Sequence, residues 1–389
     1  MSDPLATADW LNRPETQAIL AALDGAKRRT RAVGGVVRDT IMGRTHGNDI
    51  DMATELLPEE VMARAKAAGI ACYPTGIVHG TVTLKLGETL AEVTTLRSDV
   101  ETDGRHAVVA FGTDWVEDAR RRDFTLNALY CAADGTLYDP LDGAKDARAG
   151  IVRFIGDPAE RIAEDGLRVY RFFRLSASHG EQRLDPDGLT ACAATVGKLG
   201  HLSRERVGSE VMRMLALPKV AMTLAVMSEI GLLPLEDAAL KALVAYEGFG
   251  GQSATTRLAL IGADRLPALQ ADWRLANDIV SAAQHISQAG TLLADDRIAE
   301  AAYRHGEAAV EGLAAAASMG QWGLARLSEA ARALGALVVP PFPVSGHDLA
   351  GLGLTPGPAL GQELARLERA WIESGFALGK GELLALVKR

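Results

Sequence analysis

Two aspartates, two positions apart, are the first residues whose spacing suggests chemistry. Asp49 and Asp51 lie in the segment 48–54, where polar and apolar residues alternate as in a half-buried β-strand. This period places both aspartates on one face and Ile50 and Met52 on the other, towards the core. Neighbouring like charges persist most easily beside a divalent cation, and Mg²⁺ prefers carboxylate and phosphate oxygens. The pair therefore indicates a metal site, although an isolated Asp-X-Asp more commonly marks a solvated strand edge.

A glycine pair upstream of the aspartates adds a second chemical feature. Residues 31–39 have the pattern of a strand end, a turn at Gly34 and Gly35, and a helix start that carries Arg38. Glycine allows backbone amides to approach a phosphate closely, and the arginine adds a charged contact. A glycine pair alone indicates only a tight turn. Together with the aspartates, it predicts a nucleoside triphosphate and its metal ions between the turn and the acidic strand.

A third feature is a carboxylate and a guanidinium three residues apart. A helix is predicted over residues 158–178, which makes Asp165 and Arg168 neighbours on its surface. A carboxylate only accepts hydrogen bonds and a guanidinium only donates them. Cytosine and adenine each present an amino donor beside a ring-nitrogen acceptor, so the pair complements both, whereas uracil and guanine leave it mismatched. A surface ion pair is the ordinary explanation of an isolated pair of this kind.

The elements that position these residues predict an α+β protein. Strand patterns occur at 81–86 and 91–96, separated by a predicted hairpin turn, and residues 98–113 are predicted to form a mobile loop. After about residue 155 there is no strand pattern, and helical stretches rich in Ala and Leu continue to the end. A mixed-sheet head followed by an all-helical part is therefore expected.

Composition excludes several classes of protein. There are 41 Lys and Arg residues against 50 Asp and Glu, a net charge of −9, which excludes nucleic-acid binding by bulk positive charge but not by a local basic patch. The three cysteines (Cys72, Cys131 and Cys192) are far apart, so neither a zinc site nor a disulfide framework is expected. No signal peptide and no apolar stretch of roughly 20 residues is found, so we expect a cytoplasmic protein without a membrane partner.

The segments that carry these features resemble a known family. Residues 33–39 (VGGVVRD) and 49–54 (DIDMAT) resemble motif A of the class II tRNA nucleotidyltransferases, which comprise CCA-adding enzymes and bacterial poly(A) polymerases within the polymerase-beta-like superfamily. The similarity continues in order through the flexible loop 103–106 (DGRH), motif B at 121–128 (RRDFTLNA), motif C at 138–143 (YDPLDG), motif D at 164–174 (EDGLRVYRFFR) and motif E at 204–210 (RERVGSE). It implies a nucleotidyltransferase head at 1–143, a helical neck with the base-selecting helix at 144–216, and a helical body and tail for tRNA at 217–389.

The resemblance also implies roles for individual residues. Asp49 and Asp51 would be catalytic metal ligands for two Mg²⁺ ions, and Glu92 a third catalytic carboxylate on the side of the attacking hydroxyl. Arg122 and Asp123 would contact the sugar-phosphate portion of the nucleotide. The full set of implied nucleotide-binding residues is Gly34, Gly35, Arg38, Arg122, Asp123, Asn127, Asp165, Arg168, Arg171 and Arg174.

The implied activity is template-independent addition of C, C and A from CTP and ATP to the 3′ end of tRNA, whose acceptor region is the expected partner. The loop at 97–112, with Arg97, Asp103 and Arg105, is the predicted mobile element for the change from C to A. A poly(A) polymerase or an enzyme that adds only A is the alternative within the family. A catalytically silent RNA-binding protein is the alternative from another class. The dipeptide His347-Asp348 lacks partner histidines and is predicted to be structural.

Overall fold

The structure is a computed structural model that describes residues 4–45, 47–102 and 107–387. The described chain forms two compact units. The first unit comprises the chain up to Leu202 together with the short segment Ile230–Leu232. The second unit comprises Ser203–Glu229 and the chain from Leu233 onward.

The strands of the described residues all lie in the first unit. They are β1 (Thr30–Val33), β2 (Asp49–Thr54), β3 (Ala71–Gly76), β4 (Thr81–Leu86), β5 (Thr89–Thr95), β6 (Arg97–Thr102), β7 (Ala107–Phe111), β8 (Tyr130–Cys131) and β9 (Leu137–Tyr138). Among the described residues, seven strands form one mixed sheet in the order β3-β4-β5-β2-β1-β8-β9, and β6 pairs with β7 separately. Within the larger sheet β2 and β5 are parallel, and the other neighbours are antiparallel.

Helices of the first unit connect and cover this sheet. They are α1 (Asp9–Asn12), α2 (Pro14–Ala22), α3 (Gly35–Ile41), α4 (Pro58–Ala67), α5 (Trp115–Arg120), α6 (Gly143–Ala149), α7 (Pro158–Glu164), α8 (Leu167–His179) and α9 (Pro186–Thr195). Aspartate side chains cap several of them, because a carboxylate accepts hydrogen bonds from the first free amides of a helix. Asp114 caps α5 in this way, Asp157 caps α7 and Asp185 caps α9.

An aromatic cluster fixes the far edge of the sheet. Trp115 of α5 packs edge-on against Tyr130 of β8, with ring centroids 5.4 Å apart, and Val33 at the end of β1 belongs to the same buried cluster. The guanidinium of Arg31 lies 4.0 Å from the Trp115 ring centroid, a favourable cation–π distance. Since Val33 immediately precedes Gly34, this cluster anchors the strand from which the glycine turn departs.

The second unit contains only helices among its described residues. They are α10 (Arg204–Leu215), α11 (Ala221–Glu229), α12 (Asp237–Gly248), α13 (Ala254–Gly262), α14 (Leu266–Trp273), α15 (Asn277–Ala294), α16 (Ile298–His305), α17 (Ala308–Met319), α18 (Leu324–Ala336), α19 (Gly346–Gly351), α20 (Pro358–Glu373) and α21 (Lys380–Ala385). Small residues let α15 and α17 pack closely, and a separate aromatic cluster around Trp371 holds the last three helices. This mixed-sheet head followed by helices confirms the predicted α+β class.

The segment that follows β5 differs from the prediction. Residues 98–113 were expected to form a loop, but β6 and β7 pair as antiparallel strands from Arg97 opposite Phe111 to Thr102 opposite Ala107. The pairing is made by backbone groups, which a polar, glycine-punctuated sequence does not reveal. The motif 103–106, including Asp103 and Arg105, lies outside the described residues.

Candidate active site

The two aspartates lie together on the exposed face of β2. Asp49 and Asp51 are exposed, whereas Ile50 and Met52 are 1% and 0% exposed and belong to the core. This is the arrangement that the alternating sequence predicts. The buried positions hold the strand in register, so the two carboxylates project from a rigid element.

Sheet topology brings Glu92 beside this pair. Strand β5 runs parallel to β2, with Glu92 directly opposite Asp51, and Glu92 is exposed. Side chains directly opposite on adjacent strands share a face and are close neighbours. Within the described ranges, however, no group of three or more His, Cys, Asp or Glu side chains is placed to hold a metal on its own.

The glycine turn lies between β1 and α3. Gly34 has φ +74° and ψ −122°, a backbone conformation that L-residues avoid and glycine adopts readily. A Cβ at this position would lie 3.7 Å from the carbonyl oxygen of Asn127 and 3.9 Å from Nη1 of Arg122. Gly35 begins α3, so its amide is among the helix-terminal groups that have no intrahelical partner. The turn thus presents bare backbone next to the Arg122 side chain and the main-chain carbonyl of Asn127.

A chain of buried polar contacts joins Arg38 of α3 to Arg171 of α8. Nη1 of Arg38 donates to Oδ1 of Asn127 at 2.6 Å, and Nδ2 of Asn127 donates to Oδ1 of Asp123 at 2.9 Å. Nε of Arg171 donates to the other oxygen of Asp123 at 2.7 Å. Burial alone would raise the pKa of Asp123, but the charge of Arg171 and the bond from Asn127 hold the pKa below its usual range. All four predicted residues are therefore parts of one network.

Asp39 and His179 connect the same two helices a second time. Nε of Arg38 donates to Oδ1 of Asp39 at 2.8 Å, and Nε2 of His179, the last residue of α8, lies 3.1 Å from that oxygen. Burial would raise the pKa of Asp39, but the His179 hydrogen bond and the Arg38 charge hold the pKa far below its usual range, so Asp39 is ionised. An ionised carboxylate only accepts, so His179 donates through Nε2, and Nδ1 faces the Ser178 hydroxyl at 2.6 Å. Nothing in the sequence indicated this contact between α3 and α8.

Arg122 is held by a buried carboxylate in α5. Its Nη2 lies 3.1 Å from Oδ2 of Asp118, which also accepts from the Tyr130 hydroxyl at 2.8 Å. The second oxygen of Asp118 pairs with Arg121. Although burial would lower the pKa of Arg122, the neighbouring Asp118 raises it, so the charge is retained next to Gly34. The sequence prediction did not include Asp118, whose spacing of three and four residues from the arginines was the available signal.

The helix predicted over 158–178 is interrupted at Asp165. Helix α7 ends at Glu164, Asp165 is extended with φ −147° and ψ 101°, and α8 begins at Leu167. Therefore the prediction that Asp165 and Arg168 are neighbours within one continuous helix is wrong. A Cβ on Gly166 would lie 2.9 Å from a Leu199 methyl group, so glycine lets the break pack closely.

Arg168 makes an ion pair with Glu164, which lies four residues earlier in the chain. Nη1 of Arg168 donates to Oε2 of Glu164 and to the carbonyl oxygen of Arg161, both at 2.6 Å. Oδ1 of Asp165 accepts from the amide of Leu167 at 3.0 Å. Asp165 and Arg168 nevertheless flank the start of α8, where each is half-buried.

Helix α8 carries three arginines at intervals of three residues. Arg168, Arg171 and Arg174 are all half-buried, whereas Phe172 and Phe173 between them are 0% exposed. The two phenylalanines belong to the core. The predicted structural role for residues 347–348 agrees with the structure, since Asp348 accepts from the amide of Ser345 and caps α19.

Known proteins resemble this chain along nearly its whole length. The family model "Poly A polymerase head domain" matches residues 30–153. A Mus musculus protein named "CCA tRNA nucleotidyltransferase 1, mitochondrial" is 32% identical, with 97% of this chain and 93% of the relative covered. The chain belongs to the CCA-adding tRNA nucleotidyltransferase family. Another family member, a "CCA-adding enzyme" of Limosilactobacillus fermentum, is 30% identical over 92% of each chain.

The fold is also similar to that of a solved CCA-adding enzyme. The crystal structure of the Bacillus stearothermophilus CCA-adding enzyme in complex with CTP superposes with a TM-score of 0.77 at 28% identity, covering 93% of this chain and 94% of that one. Among the described residues, no helix has the length and apolar character needed to cross a membrane.

Proposed function

We propose that this protein adds C, C and A to the 3′ end of tRNA from CTP and ATP without a nucleic-acid template. The single observation that carries the proposal is the buried network Arg38–Asn127–Asp123–Arg171. It fixes the helix that follows the glycine turn relative to the helix that bears the three arginines. A triphosphate site and a base-selecting helix held in one geometry are what nucleotide choice by protein side chains requires.

Asp49 and Asp51 are the proposed Mg²⁺ ligands, with Glu92 as a third carboxylate. Mg²⁺ is commonly bound by one or two carboxylates while phosphates and water complete its octahedron, which suits two exposed aspartates on one strand. Two bound ions would neutralise the triphosphate and make the RNA 3′-hydroxyl a better nucleophile. The position of Glu92 opposite Asp51 supports a role in orienting that hydroxyl or accepting its proton.

The triphosphate is proposed to lie along the glycine turn. Gly34 leaves the backbone uncovered, Gly35 offers its amide, and Arg38 and Arg122 supply fixed positive charge. Arg171 and Arg174 are proposed to reach the phosphates from α8. Both oxygens of Asp123 accept from protein donors, so we propose that Asp123 and Asn127 act mainly by orienting Arg38 and Arg171. A direct ribose contact by Asp123 would use the remaining lone pairs of its carboxylate.

Base choice is proposed to depend on Asp165 and Arg168 at the start of α8. Nη1 of Arg168 is engaged by Glu164 and Arg161, and Nη2 lies 3.4 Å from the Arg121 carbonyl oxygen. We propose that the Nε–H of Arg168 donates to the ring-nitrogen acceptor of cytosine or adenine and that the carboxylate of Asp165 accepts from the amino group. Uracil and guanine would present donor to donor and acceptor to acceptor, which a buried polar site rejects strongly.

The proposed partner is the acceptor end of tRNA, bound by the helical body and tail through shape and backbone contacts. The names of the mouse and bacterial relatives support this, since they specify CCA addition and, for the mouse protein, tRNA. We propose a cytoplasmic setting, although the mouse relative is named as mitochondrial. The proposed domains are the head at 1–143, the neck at 144–216 and the body and tail at 217–389.

The decisive experiment uses a tRNA that lacks its terminal CCA together with labelled CTP or ATP. We expect three added nucleotides and arrest when both triphosphates are present, and two C residues with CTP alone. Long A tails with ATP alone would favour the poly(A) polymerase alternative, and no incorporation would favour a silent RNA-binding protein. A protein with both Asp49→Asn and Asp51→Asn should bind tRNA normally and incorporate nothing, and incorporation by this variant would refute the metal assignment.

A further inference from the structure

Arg161 of α7 makes contacts that its spacing in the sequence does not suggest. Its Nη2 donates to the carbonyl oxygens of Arg121 and Arg122, each at 2.6 Å, and its Nη1 pairs with Glu164. The side chain is 11% exposed. In sequence, Arg161 and Glu164 form an ordinary pair three residues apart. In the fold, the same guanidinium also holds the backbone that immediately precedes Asp123.

The contacts of Arg161 converge on Arg168. Oε2 of Glu164 accepts from both arginines, and the main-chain carbonyl oxygen of Arg161 accepts from Nη1 of Arg168 at 2.6 Å. Nη2 of Arg168 also faces the Arg121 carbonyl oxygen, at 3.4 Å, so both arginines use the same stretch of backbone. These bonds fix the plane of the Arg168 guanidinium.

We propose that Arg161 is a positioning residue that sets base selectivity by fixing the Arg168 guanidinium relative to the backbone that carries Arg122 and Asp123. This proposal rests on the proposed function, in which Arg168 meets the nucleobase. In this role Arg161 itself touches neither the base nor the phosphates. A donor discriminates between bases only while its direction is fixed, because a guanidinium that can turn finds an acceptor on any base. Loss of Arg161 therefore weakens rejection of UTP more than acceptance of CTP.

A purely structural role would have a different signature. If Arg161 only joined α7 to the Arg121 and Arg122 carbonyls, its removal would lower stability and slow incorporation of every nucleotide by the same factor. Arg183 provides a matched control, since its guanidinium also donates to two main-chain carbonyl oxygens, those of Ala149 and Gly180, at 2.9 and 3.2 Å. Among the described residues, neither of these two contacts involves motif B or motif D.

The test compares wild type, Arg161→Met, Arg161→Lys and Arg183→Met by kcat/KM for CTP and UTP on tRNA lacking CCA. In Arg161→Met, we expect the CTP-to-UTP ratio to fall at least about tenfold, which corresponds to losing one oriented hydrogen bond. Arg161→Lys keeps the charge and one carbonyl contact, so it should recover part of the ratio and remains informative if the Met variant does not fold. Arg183→Met should lower the thermal midpoint with the ratio unchanged.

An unchanged CTP-to-UTP ratio in both Arg161 variants, with CTP and UTP rates reduced equally, would overturn the proposal. A fall of the same size in Arg183→Met would overturn it too, because the effect would then come from general loosening of the unit. Failure of the wild-type protein to add CCA would instead refute the proposed function. The assay of the wild-type protein therefore distinguishes failure of the Arg161 proposal from failure of the proposed function.

Discussion

Replacement of Asp123 by Asn tests the network that joins α3 to α8. The carboxylate is 9% exposed and accepts from the Phe124 amide at 2.9 Å, from Asn127 at 2.9 Å, and from Nε and Nη2 of Arg171 at 2.7 and 2.5 Å. Asparagine keeps one oxygen for Phe124 and Asn127. It turns an amide donor towards Arg171, so the charged contact is replaced by two opposed donors.

The size of the effect follows from the burial of the two partners. Breaking a fully buried ion pair costs about 3–5 kcal/mol, but the Arg171 side chain is 33% exposed and partly screened. We therefore expect a loss of roughly 1–3 kcal/mol in the free energy of unfolding. If Arg171 loses its orientation towards the triphosphate, kcat/KM for CTP and ATP should fall by about 10- to 100-fold.

Urea denaturation and steady-state kinetics on tRNA lacking CCA measure the two effects separately. Asp146→Asn is the matched control, because Asp146 is also 9% exposed and accepts from Thr125 at 2.7 Å and Arg153 at 3.3 Å, outside the network. It should lose stability without a comparable loss of kcat/KM. Normal nucleotide kinetics in Asp123→Asn, or equal kinetic loss in both variants, would refute the idea that the network orients the nucleotide-binding arginines.

Three further predictions follow from other residues of the site. Gly34→Ala should cost roughly 1–2 kcal/mol in unfolding free energy because φ is +74° there, and it should raise KM for CTP and ATP equally; a changed CTP-to-ATP ratio would argue against a phosphate role. Glu92→Gln should lower kcat for incorporation with little change in KM or tRNA affinity, and an unchanged kcat would exclude the carboxylate from the reaction. Burial and the Arg38 charge lower the pKa of His179 below 6.5, against the bond to Asp39. Its neutral form is therefore favoured by folding, and the stability it contributes is lost as pH falls below about 6.5. Thermal melts of His179→Gln between about pH 6.5 and 5 should fall less steeply than wild type, and identical slopes would contradict this.

The sequence predicted the parts of the site whose placement is local. The period of two in 48–54 placed Asp49 and Asp51 on one face, and the glycine pair marked the turn before α3, because both depend on adjacent residues only. The strand at Thr81–Leu86 has the predicted bounds for the same reason. The helical composition after residue 155 likewise sufficed for the class of the remaining chain.

Long-range contacts could not be obtained from spacing. Arg38 and Asn127 are 89 residues apart, and His179 lies 140 residues from Asp39, so no periodic pattern connects them. Sheet order had to be known before Glu92 could be placed opposite Asp51. The break at Asp165 was missed because apolar periodicity continues across it, and the cost of one glycine in a helix is only about 1 kcal/mol. Packing of Gly166 against Leu199 explains why the chain turns there.

The most direct test of base choice by α8 is sequencing of tRNA 3′ ends after incubation with all four nucleoside triphosphates together. Wild type should yield CCA ends almost exclusively. Arg168→Ala should bind tRNA with similar affinity and yield ends that contain U or G at appreciable frequency. Unchanged CCA ends from Arg168→Ala at a reduced rate would contradict the claim that this arginine selects the nucleobase by its edge.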